Sequence, residues 1–153
     1  MKRKSFTLVE LIAVIVILSL AIPTLLMMFT QANLNSITTE SASKASYYAE
    51  ALMEEIRSKK FDENDSSPWS STLGPDGGEV SRSDYDDVDD YNGYGDNPSP
   101  GYTRSVSVEY VSLNGTKWQH AGSRTDYKRV DVSVSRSDKI FGPVNLIVLV
   151  SGY

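Results

Sequence analysis

The sequence contains no cysteine and only one histidine among its 153 residues. The absence of cysteine excludes disulfide bonds and thiolate metal sites. No serine lies in the glycine pattern of a nucleophile elbow, and we expect the single histidine, His120, to lie on the surface of a hairpin. We therefore predict that the protein is not an enzyme. The net charge of −5 argues against a nucleic-acid-binding protein, which would be basic.

Charge is unevenly distributed along the chain. Between Phe6 and Phe29 the only ionisable side chain is Glu10. Residues 61–100 carry eleven acidic side chains and one basic side chain, a net charge of −10, whereas residues 1–60 sum to +2 and residues 101–153 to +3. A uniformly soluble domain does not separate its charge in this way.

A long apolar run follows the basic residues Lys2, Arg3 and Lys4. As a helix, residues 6–29 would span about 36 Å, which is enough to cross a bilayer core of roughly 30 Å. The basic flank should stay in the cytoplasm, so the remainder of the chain should face outward.

Two simple explanations of the run are a cleaved secretory signal and a plain membrane anchor. Ser19-Leu20-Ala21 loosely resembles a signal-peptidase site and would give a mature terminus at Ile22, but the apolar run continues beyond it and Pro23 follows immediately. A plain anchor leaves Glu10 unexplained, since a carboxylate inside a membrane costs about 2.5–3.5 kcal/mol on insertion scales.

The segment Lys4-Ser5-Phe6-Thr7-Leu8-Val9-Glu10, followed by the apolar run, resembles the N-terminus of type IV pilins and type II secretion pseudopilins. This resemblance implies that a prepilin peptidase cuts between Ser5 and Phe6 and methylates the new amine of Phe6. The family usually has glycine before the cut, whereas this chain has Ser5; we expect this small residue to permit processing, at a lower rate.

The resemblance also implies how the protein assembles. In the family, the glutamate at the position of Glu10 is thought to meet the cationic α-amine of a neighbouring subunit, here on Phe6, and such pairing recovers much of the cost of a carboxylate in lipid. The alternative for a single subunit is a Glu10 side chain that snorkels to the headgroups. The implied partners are other pilin subunits, the prepilin peptidase, an inner-membrane assembly platform and, before assembly, lipid. The implied location is the inner membrane, with a cytoplasmic N-terminus, and then a periplasmic or extracellular filament.

We divide the chain into a cleaved leader (1–5), a transmembrane and filament-core helix (6–30), an amphipathic helical half (31–60) and a head (61–153). Because no glycine or proline lies between Thr24 and Lys60, we predict one helix from Phe6 to about Lys59, kinked or loosened at Pro23. Apolar side chains at spacings of three and four predict the face that packs on the head. They are Ala45, Tyr48, Ala49, Leu52, Met53 and Ile56.

The head begins with a long acidic loop, 61–101, followed by a predicted sheet, 102–153. Valines alternate with polar residues at 106–108 and 130–134, Asn114-Gly115 is typical of a hairpin turn, and residues 146–150 form an apolar run of strand length. We therefore predict three or four antiparallel strands with the helix on one face, an α+β fold of the kind that pilins have.

The acidic loop offers a candidate metal site. Oxygen ligands at this density could hold Ca²⁺, and the predicted ligands are Asp86, Asp87, Asp89 and Asp90. The alternative is a solvated turn whose side chains cap backbone groups. Five aromatic residues could form either a contact surface or, as we prefer, the lid of a small core. They are Trp69, Tyr85, Tyr91, Tyr94 and Tyr102.

Residues 52–56, Phe61-Asp62 and 86–94 resemble minor pilins of the mannose-sensitive haemagglutinin pilus (the MshD group). The resemblance implies a low-abundance structural subunit that supports adhesion, motility or the priming of a filament. Two alternatives stay open. One is a type II secretion pseudopilin, and the other is a membrane-anchored calcium-binding or adhesive module that does not polymerise.

Overall fold

The computed structural model describes residues 7–153, so the predictions for Ser5 and Phe6 lie outside the described residues. The chain divides into two compact units, Met1–Glu40 and Ser41–Tyr153. Helix α1, Leu8–Arg57, supplies nearly all of the described part of the first unit and the first element of the second. The predicted helix is confirmed, and its end lies two residues before Lys59.

Helix α1 begins with a side-chain cap. The hydroxyl of Thr7 accepts the backbone N–H of Glu10 at 3.3 Å, which satisfies one of the free donors of the first turn. The helix continues through Pro23. The hydroxyl of Thr24 donates to the carbonyl of Ala21 at 2.8 Å, so this polar side chain is satisfied within the helix itself.

The second unit contains an antiparallel sheet in the order β1-β2-β4-β5, with β3 paired to β2. The strands are β1 Gly95–Asp96, β2 Tyr102–Asn114, β3 Lys117–His120, β4 Tyr127–Arg136 and β5 Val144–Ser151. The β2–β3 hairpin turns at Gly115-Thr116, one residue later than the predicted Asn114-Gly115 turn, because Asn114 ends β2 and pairs with Lys117. Gly115 has φ +64°, a conformation that costs glycine little. The strands predicted around 106–108, 130–134 and 146–150 are confirmed, but within the described residues the sheet has five strands rather than three or four, and β1 lies inside the segment predicted as loop.

The core lies between the sheet and the distal part of α1. Along β2 and β4 alternate side chains are buried, as period-2 patterning requires. The buried helix residues Ala45, Ala49, Leu52, Met53 and Ile56 confirm the predicted stripe, and Tyr48 packs against them partly buried. The protein thus has the predicted pilin-like α+β architecture, a long helix packed against a small antiparallel sheet.

The acidic loop is mostly irregular, but backbone hydrogen bonds join it to the residues that follow α1. It contains one short 3-10 helix, Asp89–Tyr91, and the strand β1. A parallel bridge joins Lys60 to Asp87, and the N–H of Val88 donates to the carbonyl of Lys60 at 2.9 Å. The loop therefore returns to the segment that follows α1 and closes over the core.

Candidate functional site

The N-terminal part of α1, residues 8–29, exposes a continuous apolar surface. Large apolar side chains from Leu8 to Phe29 are exposed, with Leu8 at 73% and Phe29 at 68%. Among the described residues α1 is the helix that is long and apolar enough to cross a membrane. Exposure of this extent in water would be costly, at about 25 cal/mol per Å² of apolar surface, so this surface needs lipid or a protein partner.

Glu10 is the only charged residue between Lys4 and Glu40. It lies in the first turn of α1, three residues after the capping Thr7. Threonine followed by glutamate at this spacing is typical of a capping box, and a carboxylate is favoured at the positive end of a helix dipole. The structure thus places Glu10, the predicted assembly residue, in the first turn of α1.

In the acidic loop, two aspartates shape the backbone. Asp87 Oδ1 accepts the N–H groups of Asp89 at 2.7 Å and Asp90 at 3.2 Å. Asp90 Oδ2 accepts the N–H groups of Asp86 at 2.9 Å and Asp87 at 3.0 Å. The capping role that we considered as the alternative to metal binding is therefore present. Asp87, Asp89 and Asp90 are buried rather than solvated, which corrects that part of the expectation.

The most buried charge in the head belongs to Lys128, on the core face of β4. Its Nζ donates to Asp62 Oδ2 at 2.8 Å, to the Phe61 carbonyl at 2.6 Å and to Asp89 Oδ1. The ring centroids of Phe61 and Tyr110 lie 4.4 and 5.3 Å from Nζ. All three ammonium donors are used, as a buried cation requires.

Asp62 holds the first part of the acidic loop together. Its Oδ1 accepts the N–H groups of Asn64 at 3.1 Å and Ser70 at 3.0 Å, and also the Ser70 hydroxyl. Its Oδ2 accepts the hydroxyl of Tyr110 at 3.1 Å in addition to Lys128. Burial alone would raise the pKa of Asp62, but the hydrogen bonds from Lys128 and the loop backbone lower it below its ordinary value.

The pKa values of the neighbouring carboxyls, Asp87 and Asp89, are raised rather than lowered. Burial, together with the charges of Asp89 and Asp90, raises the pKa of Asp87 to about 8. Burial also raises the pKa of Asp89, although Lys128 opposes the change. The loop therefore contains acids whose proton affinities have been separated by burial and by partners.

A second charged cluster joins the loop to α1. Arg82 donates to both oxygens of Glu55, and the Tyr91 hydroxyl donates to Glu55 Oε1 at 2.8 Å. The bond from Arg82 is the main cause that lowers the pKa of Glu55. Arg104, on β2, binds Asp96 through two bonds of 2.9 and 2.6 Å, the bidentate geometry that arginine favours.

The four predicted metal ligands do not form one group. Among the described residues, carboxylate oxygens within 4.8 Å of one another occur in two sets, Glu63 with Asp86 and Asp87, and Glu79 with Asp86 and Asp90. Asp89 is in neither set and binds Lys128 instead. Calcium binding stays a prediction, now centred on Asp86, the exposed residue common to both sets.

The loop aromatics form a lid, as we preferred. Trp69, Tyr91 and Tyr102 are buried, and Tyr85 and Tyr94 pack partly buried against the core. The rings of Tyr85 and Tyr91 meet edge to face, with centroids 5.1 Å apart. The side chain of His120 is 68% exposed and pairs with Glu109, so it lies on the surface as predicted.

Sequence reasoning missed Lys128 and Arg104, which are almost fully buried. A signal was present: Lys128 precedes Val130 by two residues and Arg104 precedes Val106 by two, so period-2 alternation places both on the core face. The acidic partners of Lys128 lie 66 and 39 residues away, outside the sheet. Asp96, the partner of Arg104, lies directly opposite it in the two-residue strand β1, which the sequence pattern did not predict.

Residues 1–22 match the family described as the prokaryotic N-terminal methylation motif. No curated protein and no solved structure matched the chain. The motif and the apolar N-terminal helix together indicate a type IV pilin- or pseudopilin-type precursor that is anchored in a membrane. They imply processing by the prepilin peptidase and assembly with other pilin subunits, and they favour a structural subunit over an enzyme.

Proposed function

We propose that this chain is a structural subunit of a type IV pilus-like filament, cut between Ser5 and Phe6 and assembled through helix α1. The observation that carries the proposal is the exposed apolar surface of α1 interrupted by one carboxylate, Glu10, within the methylation motif. Before assembly this surface lies in the inner membrane. In the filament it packs against the same surface of neighbouring subunits.

Glu10 provides the axial register. Cleavage after Ser5 would place a cationic α-amine on Phe6, about one helical turn from Glu10. A carboxylate in lipid is costly, so an incoming subunit is most stable where its charge meets the opposite charge of a neighbour. The pairing between subunits therefore favours one longitudinal offset over others that leave Glu10 unpaired.

The subunit is a minor one in this proposal, one that primes or caps the filament and supports adhesion or motility. Its support is the resemblance of residues 52–56, 61–62 and 86–94 to the MshD group of minor pilins. A type II secretion pseudopilin would share the processing and the helix. Deletion of the gene separates the two, because loss of surface filaments or adhesion supports the minor pilin and loss of protein secretion with filaments intact contradicts it.

Glu10→Ala tests the assembly role. We expect the variant to enter the membrane and to be cleaved, but to be at least tenfold depleted from sheared filaments, measured by immunoblot of the sheared and membrane fractions. Glu54→Ala is the matched control, since Glu54 is a highly exposed glutamate on the same helix, paired only at the surface with Arg57. Normal incorporation of Glu10→Ala would contradict the proposal and favour a non-polymerising anchored module.

A further inference from the structure

Lys128 and Asp62 are a buried amine and a buried carboxyl held in contact. Both side chains are 0% exposed, and Nζ lies 2.8 Å from Asp62 Oδ2. A second acid, Asp89, is only 4% exposed and contacts the same Nζ. The three side chains come from β4, the start of the acidic loop and the 3-10 helix, so the fold itself brings them together.

The surroundings of the Lys128 amine favour the formation of an amide with the Asp62 carboxyl over its hydrolysis. The ring of Phe61 lies 4.4 Å from Nζ and that of Tyr110 lies 5.3 Å away, which gives the amine an apolar wall on two sides. A buried ion pair pays a large desolvation cost, which is why replacing such a pair with well-packed apolar residues is often neutral or stabilising. Formation of an amide would remove the same two charges. An amide formed here would also be shielded from the water that could hydrolyse it.

The carboxyl of Asp62 is polarised at both oxygens. Oδ1 accepts the backbone N–H groups of Asn64 at 3.1 Å and Ser70 at 3.0 Å, and the Ser70 N–H is shared with Oδ2 at 3.1 Å. Two backbone donors on one oxygen are the arrangement that stabilises the oxyanion of a tetrahedral intermediate. Oδ2 accepts from the Tyr110 hydroxyl at 3.1 Å and faces Lys128, which is the side from which a leaving oxygen can be protonated.

We propose that Lys128 and Asp62 condense into an intramolecular isopeptide bond, with Asp89 relaying the proton. Asp89 first takes one proton from the Lys128 ammonium, which it contacts, and passes it to Asp62 Oδ2. The neutral amine then attacks Cγ, and the negative charge develops on Oδ1. Asp89 takes one proton from the attacking nitrogen and passes it to Oδ2, which leaves as water as the carbonyl re-forms. The nitrogen keeps one hydrogen, the released water carries two, and Asp89 returns to its starting state.

The product suits the site. In the structure the carbonyl of Phe61 lies 2.6 Å from Lys128 Nζ. The N–H that remains on the amide nitrogen can keep this hydrogen bond. The new bond would join Asp62, shortly after the end of α1, to the β4 strand at the centre of the sheet, across 66 residues of sequence. In a chain without cysteine it would be the covalent tie between helix and sheet. It forms within one chain, so its test is separate from that of filament assembly.

Peptide mapping of the purified full-length protein tests the proposal directly. Complete tryptic digestion after denaturation is expected to give peptide 61–82 joined to peptide 125–129, lighter than their sum by one water, with no cleavage after Lys128. Unlinked peptides at full mass and cleavage after Lys128 would overturn the proposal and leave an ion pair only. Loss of water at Asp76-Gly77 is distinguished because it leaves the two peptides separate.

Two variants test the relay. Asp89→Asn keeps the shape of the side chain but cannot relay the proton, and we expect its two peptides at full mass. Asp87→Asn is the matched control, since Asp87 caps the loop backbone instead of binding Lys128, and we expect it to be linked like the wild type. A linked peptide in Asp89→Asn would contradict the role given to Asp89, and circular dichroism of each variant verifies that it is folded.

Discussion

Replacement of Asp87 by asparagine should stabilise the head in a pH-dependent manner. Asp87 is 1% exposed, and its Oδ1 accepts the N–H groups of Asp89 and Asp90. Asparagine offers an oxygen at the same place, so both caps are retained. What the substitution removes is the negative charge, which the wild-type protein must bury beside two other carboxylates.

The pKa of Asp87 gives the sign and the size of the effect. It is raised from 3.8 to about 8, with burial as the main cause. An acid with a raised pKa contributes its full stability below the unfolded value and loses that contribution as the pH rises through the folded value. Each pKa unit corresponds to about 1.36 kcal/mol, so the full loss above pH 8 is on the order of 5 kcal/mol. Relaxation and water penetration reduce this figure, and we expect at least about 1 kcal/mol.

Thermal unfolding in detergent at pH 4, 6 and 8, followed by near-ultraviolet circular dichroism of the buried tyrosines, measures the effect. Asp87→Asn should match the wild type near pH 4 and unfold several degrees higher at pH 8, at roughly 4–8 °C per kcal/mol for a domain of this size. The control is Asp65→Asn, at an exposed acid of the same loop. A difference that is the same at every pH, or a lower melting temperature at pH 8, would refute the reasoning.

Three further substitutions test the packing, the charge cluster and the loop. Gly152→Ala should cost about 1–3 kcal/mol by overpacking, because its Cβ would lie 2.6 Å from an aromatic carbon. Gly142→Ala, with open space around it, should be neutral, and equal melting temperatures for the two variants would contradict this account. Glu55→Gln should cost about 1.5–3 kcal/mol at pH 7. Since the pKa of Glu55 is lowered from 4.5, the cost should be fully present above pH 4.5 and should fall away as the pH drops through the lowered pKa; a cost that does not fall in acid argues against the ion pair. Calcium should raise the melting temperature of the wild type and of Asp65→Asn but not of Asp86→Asn, and an equal rise in all three would exclude this ligand assignment.

Local patterns predicted the fold well because each element carries its own period. The helix stripe from Ala45 to Ile56 and the alternating valines of β4 are properties of short segments, and both were recovered at the correct positions. The Asn114-Gly115 pair located the β2–β3 hairpin to within one residue. Such signals depend on a few neighbouring residues, so they survive without any knowledge of tertiary contacts.

The charged interior could not be predicted in the same way. Lys128 contacts Asp89, 39 residues away in sequence, and Asp62, 66 residues away. Both acids lie outside the sheet, so no strand pairing was available from which to predict these contacts. The density of aspartates in 86–90 indicated calcium or solvent, whereas three of the four predicted ligands are buried. Burial of those carboxylates depends on loop closure over the sheet, which sequence patterns do not encode.

The mature N-terminus tests the account most directly. The protein is purified from the membranes of cells that contain the prepilin peptidase, and its N-terminal peptide is sequenced by tandem mass spectrometry. We predict a chain that begins at Phe6 with a methylated α-amine. A chain that begins at Ile22, or one that retains Met1, would contradict the assignment as a processed filament subunit.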